Sequence, residues 1–129
     1  MIKVFISQPM NGRTDEEIRE ARNKAIVDIR SKLGTEFEVI DSFFEDYDVE
    51  AGAKDRVEGN VDDLAPGYIP IKYLAKSIDL LAEANVVYFT WDYYQARGCR
   101  IEYEIASRYG KVVVVQDELE DKTFRIGDN

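Results

Sequence analysis

Two stretches of this chain carry residue types that can do chemistry at close quarters. The first is Ser7-Gln8-Pro9-Met10-Asn11-Gly12-Arg13. Hydroxyl, amide and guanidinium groups surround a glycine that lets a ligand approach the backbone. Where such a run leaves a strand and enters a helix, its amides and the helix's positive end suit an anion or a ribose. The same residues also make an ordinary βα turn, and the Gly-x-Gly-x-x-Gly spacing of a dinucleotide site is missing. The second stretch runs from Trp91 and Asp92 through Arg97-Gly98-Cys99-Arg100 to Glu102. With Gly98 where the chain turns into a helix, Glu102 falls in the first turn, where the dipole keeps a carboxylate ionised. Such a group can attack an anomeric carbon; equally, it can be a solvated first-turn residue. Glu104 lies about 200° round the helix and cannot face the same site.

Other side chains in these stretches would serve a ligand. Trp91, Tyr93 and Tyr94 offer ring faces to a base. Arg13, Arg97 and Arg100 offer planar forks to a phosphate, unless they pair with neighbours such as Asp15, Asp92 or Glu104. Cys99, at a helix start, is placed for a lowered pKa, but it has no histidine as its base. The sequence contains no histidine at all. That excludes Ser-His-Asp and Cys-His catalysis, and any zinc site built on imidazole. One cysteine in 129 residues excludes an internal disulfide and a cysteine-cluster metal site. No metal and no cofactor is expected.

Length and composition frame these residues. A chain of 129 residues, 45% hydrophobic and 12% aromatic, is one globular domain spanning 1–129. Its formal net charge of −9 argues against a nucleic-acid backbone or an anionic membrane as partner. No run reaches the roughly 18 apolar residues of a membrane span. Met1 to Ile6 is unlike a secretory signal, and a lone cysteine fits a reducing compartment. The expectation is a cytoplasmic protein.

The elements that must position the two stretches are written in the hydrophobic pattern. Ile2 to Ile6 is a short β-branched and aromatic run ending in turn residues, the mark of a buried strand. Thr14-Asp15-Glu16-Glu17 is a capping box, followed by Ile18, Ala21, Ala25, Ile29 and Leu33 at helical spacing and by Gly34 as a stop. Phe37 to Ile40 is a second strand. Ile71, Leu74, Ala75, Ile78, Leu81 and Ala82 mark a second helix that Pro70 can start. Val86 to Thr90 is a third strand, Ile101 to Tyr109 lie on a third helix ended by Gly110, and Lys111 to Val115 is a fourth strand. Alternating helices and almost wholly apolar strands predict an α/β fold: a small doubly wound parallel sheet of four or five strands, order 2-1-3-4, with helices on both faces. Ligands bind such sheets beyond the carboxyl ends of the strands, where the winding reverses. In this order that point lies between strands one and three, beside the two stretches. The acidic segment 42–67 is long for a loop and reads as a solvated excursion or a lid. The tail 117–129 is polar.

The pair of stretches resembles the nucleoside 2-deoxyribosyltransferase superfamily, and within it a subfamily whose first loop reads like Ile-Ser-Gly-Pro-Met. The likeness runs from Met1 to about Val115. Gly98-Cys99-Arg100-Ile101-Glu102 matches the family's Gly-x-x-x-Glu at a helix start, and Ser7 to Gly12 matches its sugar- and base-contacting loop. The resemblance implies cleavage of an N-glycosidic bond in a nucleoside or nucleotide, by hydrolysis or transfer, with Glu102 as nucleophile. It also implies a homo-oligomer. Two positions depart from the family. Ser77 stands where the transferases usually place the aspartate that assists the leaving base, which leaves that role vacant or filled elsewhere, by Asp92 or Asp41. Gln8 stands where related loops often carry glycine. A non-catalytic nucleotide-binding module, a sensor or sequestering protein, is the alternative. A protein-interaction domain using Phe43, Phe44 and Tyr47 is a third reading.

Overall fold

A computed structural model describes residues 1–41 and 68–117. The segment 42–67, with Phe43, Phe44 and Tyr47, and the tail beyond Asp117 lie outside the described residues. The elements run β1 (Ile2–Ser7), α1 (Asp15–Leu33), β2 (Phe37–Ile40), α2 (Tyr68–Leu81), β3 (Val86–Phe89), a short 3-10 turn (Tyr93–Gln95), α3 (Arg97–Arg108) and β4 (Val112–Val115). The four strands form one parallel sheet in the order β2-β1-β3-β4, as the alternating pattern predicts.

The boundaries of α1 have local physical causes. At the start of α1 the Thr14 hydroxyl accepts from the Glu17 amide at 3.1 Å, and the Glu17 carboxylate accepts from the Thr14 amide at 2.9 Å. Gly34 ends α1 at φ 63°, in the left-handed region that glycine enters without penalty. Two expected starts shift. Helix α2 begins at Tyr68, so Pro70 is its third residue, where the missing N–H is still one of the helix's unpaired donors. Helix α3 begins at Arg97, after extended backbone at Ala96 (φ −113°, ψ 131°). Glu102 therefore sits in its second turn.

Strand alternation divides the core. Val4 and Ile6 of β1, with Val86 and Tyr88 of β3, pack under Ala25 and Ile29 of α1. Phe5, Val87 and Phe89 turn the other way, against Leu81 at the end of α2, Ala84 and Ala106 of α3. Each large apolar side chain buried this way contributes about 1.5–3 kcal/mol. The alternation continues past the hydrophobic run. Ser7 follows Phe5 toward α3, while Gln8 follows Ile6 toward α1. The pairing of Ser7 with Phe89 brings the carboxyl ends of β1 and β3 level, so the residues after each meet at the reversal of winding. No helix among the described residues is long and apolar enough to cross a membrane.

Candidate functional site

Beyond the carboxyl ends of β1 and β3 the polar side chains go inward. Ser7, Gln8, Thr90, Asp92 and Glu102 are all buried. Ser7 Oγ donates to Glu102 Oε1 at 2.7 Å, and the Ser77 hydroxyl of α2 bonds the same carboxyl group. Cys99, one turn before Glu102 on α3, is hydrogen-bonded to Ser7. Ser7 of β1 and Ser77 of α2 thus converge on one carboxylate of α3, with Cys99 joined through Ser7, and that carboxylate is only 5% exposed. The solvated first-turn reading of Glu102 fails on that number.

Burial sets the electrostatics here. Desolvation pushes the Glu102 carboxyl above its ordinary range, and the two serine hydroxyls pull it partly back by bonding the charged form. The expectation that a first-turn dipole keeps Glu102 ionised is therefore corrected. The residue is one turn too deep in α3 for that, and burial is the larger effect. Cys99 is corrected in the same way: burial drives its thiol up to about 12, with Glu102 and Asp92 adding to the rise. It is a packed thiol that accompanies Ser7, not a nucleophile.

The first loop and the β3 loop are joined by a second polar contact. Arg13 Nη1 lies 2.7 Å from Asp92 Oδ2, and Asp92 Oδ1 accepts from the Thr90 hydroxyl at 2.8 Å. Both oxygens of Asp92 are thereby engaged. Asp41, the other candidate, is exposed just past β2. Between Ser7 and Arg13, Pro9 is buried and Met10 half-buried. Asn11 and Gly12 are exposed in a turn closed by the Arg13 amide on the Met10 carbonyl at 3.1 Å. Gly12 takes φ +79° there, as the third position of a type II turn requires, and a Cβ on it would meet open space. Gln8 donates Nε2 to the Ile18 carbonyl at 3.0 Å, tying the loop to the first turns of α1, while its buried Oε1 finds no protein donor among the described residues.

The remaining expected ligand groups divide. Trp91 is half-buried, with its amide on Gln116 Oε1 at 3.1 Å. Tyr93 is half-buried, stacked on Tyr103 at 5.1 Å and 18° and set against Phe89. Tyr94 is 52% exposed. Of the three arginines, Arg13 is answered by Asp92, and Arg100 donates to the Tyr94 carbonyl at 2.6 Å. Arg97 is exposed in the first turn of α3, beside Gly98, whose absent Cβ would also meet open space. Among the described residues no group of three or more Cys, Asp or Glu is placed to hold a metal ion. An open depression lined by Met1, Ile2, Thr35, Glu36 and Asn85 lies at the amino end of the sheet, away from this cluster.

Sequence reasoning named the members of the cluster but missed three of its bonds. The Ser77 and Cys99 contacts, and the inward turn of Gln8, follow from the strand alternation and helix phase that place Ser7 and Glu102 face to face. Comparison of the chain with protein-family models, curated proteins and solved structures yields no match.

Proposed function

We propose that this protein cleaves the N-glycosidic bond of a nucleoside or nucleotide, with Glu102 as the nucleophile. The observation that carries the reading is the convergence of Ser7 and Ser77 on Glu102 at the reversal of winding. These are the positions that the resemblance to the 2-deoxyribosyltransferases assigns to the sugar loop, the leaving-group residue and the nucleophile. A Glu102 oxygen attacks the anomeric carbon as the C–N bond breaks, and its electron pair leaves with the base. Serine at position 77 is too weak an acid to protonate that base, so the proton comes from water. Water then opens the glycosyl ester in hydrolysis, or the nitrogen of a second base does so in transfer. Ser7 and Ser77 keep the carboxylate aimed between these steps, and Asn11 and Gly12 face the sugar from the exposed turn.

The raised pKa of Glu102 gives this mechanism a signature. Attack requires the ionised form, so turnover rises with pH through a limb set above the ordinary carboxylate range. Incubation with nucleosides, nucleoside monophosphates and NAD, followed by chromatography for released base, tests the reading. Release that vanishes in Glu102→Gln and follows that limb is the expected result; release unchanged in the variant ends the proposal. The same burial that raises the pKa favours a second reading, a binding module in which a protonated Glu102 donates to its ligand. Calorimetric binding without release of base is its outcome.

A further inference from the structure

Glu102 is buried without a counter-charge. Its carboxylate is 5% exposed, and the groups bonded to it are the hydroxyls of Ser7, at 2.7 Å, and Ser77. Among the described residues no lysine or arginine pairs with it. Arg13, the cation of the first loop, is set against Asp92 at 2.7 Å instead. Burying an ionised carboxylate is costly unless a cation answers it, and neutral hydroxyls answer it only in part. The nucleophile of this site lacks one positive charge beside it.

The same cluster lacks an acid. Two serine hydroxyls and, through Ser7, the Cys99 thiol held at about 12 by burial are too weak for general-acid work near neutral pH. The chain has no histidine to take that part. A neutral base departs as an anion unless it is protonated, and general-acid help is worth about 10²–10⁴-fold in rate. A base joined to the sugar through an already cationic ring nitrogen needs no such help. The electron pair of the breaking C–N bond neutralises it as it leaves.

We propose that the Glu102 site prefers N-glycosides whose ring nitrogen is positively charged, such as pyridinium nucleosides and alkylated purine nucleosides, over neutral ones. The inference rests on the glycosidic reading of the site and narrows its substrate. One charge makes up both deficits. The cationic nitrogen is bonded to the anomeric carbon that Glu102 attacks, so it adjoins the buried carboxylate and offsets the cost of its ionised form. A Glu102 oxygen forms the C–O bond while the C–N bond breaks, its electron pair goes to the nitrogen, and the base leaves neutral with no proton transferred. Anion and cation both vanish in this step, which a water-poor site favours. Water then attacks the anomeric carbon, Glu102 departs as carboxylate, and one proton passes to solvent. Hydrolysis of a neutral nucleoside releases no net proton.

The test incubates the full chain with nicotinamide riboside, 7-methylguanosine, guanosine and adenosine, and follows released base by chromatography. The cationic pair should exceed the neutral pair in kcat/KM by at least about 100-fold, with one proton released per nicotinamide. Cationic glycosides are also the more labile in water, so Ser77→Asp separates the site from the substrate. Two adjoining carboxyl groups share a proton, and this one should speed guanosine and adenosine at least about tenfold while nicotinamide riboside gains nothing. Should that variant lose its near-ultraviolet circular dichroism spectrum, calorimetry decides. There 1-methylnicotinamide, a cationic ring without a sugar, should bind the wild type at least about tenfold more tightly than neutral nicotinamide, and Glu102→Gln should bind both alike. Guanosine or adenosine cleaved as fast as the cationic pair, and only with Glu102 present, overturns this inference and leaves the glycosidic reading standing; protonation of the base by Asp92 would give that result. A folded Ser77→Asp that keeps the wild-type preference overturns it as well. Release from neither class overturns both.

Discussion

Glu102 sits where a carboxylate costs free energy, and its serine partners reduce that cost without removing it. In the unfolded chain the group has its ordinary pKa of 4.5; folding raises it. The folded protein therefore holds this proton more tightly than the unfolded one, and the ionised form opposes folding. The penalty is absent below the unfolded pKa, grows as the pH rises through the folded value, and is complete above it. Glu102→Gln keeps an acceptor for Ser7 and Ser77 but has no charge to bury. Its melting midpoint should exceed that of the wild type at about pH 8, and the gain should shrink toward about pH 4. An advantage that is constant with pH would mean that Glu102 is not the group being desolvated.

At the scale of elements, the boundaries were legible wherever a local side chain sets them. Thr14 and Glu17 announce the start of α1 within four residues of sequence, and Gly34 its end. Thr14→Ala should accordingly cost about 1 kcal/mol in thermal or denaturant unfolding; an unchanged midpoint would show that the cap contributes nothing in this fold. Helix α3 was harder to read. Gly98 looks like a helix start, but the extended residue is Ala96, which carries no capping side chain and so no signal. The 3-10 turn at Tyr93–Gln95 is too short to have a period. The helix starts one residue before Gly98, which puts Glu102 in its second turn, and burial rather than the helix end sets the direction of its pKa. The sheet order was readable because apolar strands alternating with helices leave few topologies. The bonds among Ser7, Ser77, Cys99 and Glu102 were not, since they depend on the rotation of two helices over the sheet. The pairing of Arg13 with Asp92 was one of the open alternatives, and only geometry selects it.

Taken whole, the molecule carries a net charge of −9 on 129 residues, so its compact state works against its own repulsion. Added salt screens that repulsion, and the melting midpoint should rise from low ionic strength to about 0.5 M sodium chloride; a fall would place the decisive charges in attractive pairs such as Arg13 with Asp92. A parallel sheet of this order also has few short-range strand contacts. Strand β1 waits for β3, and Ser7 meets Glu102 across 95 residues of chain. Synthesis delivers the amino-terminal parts first. A nascent chain halted before Arg97 has the Ser7 to Arg13 loop and Asp92 but neither Cys99 nor Glu102. On the ribosome, and in any fragment cut in that region, the polar cluster has no carboxylate at its centre, so under the proposed glycosidic mechanism a half-made chain carries no nucleophile.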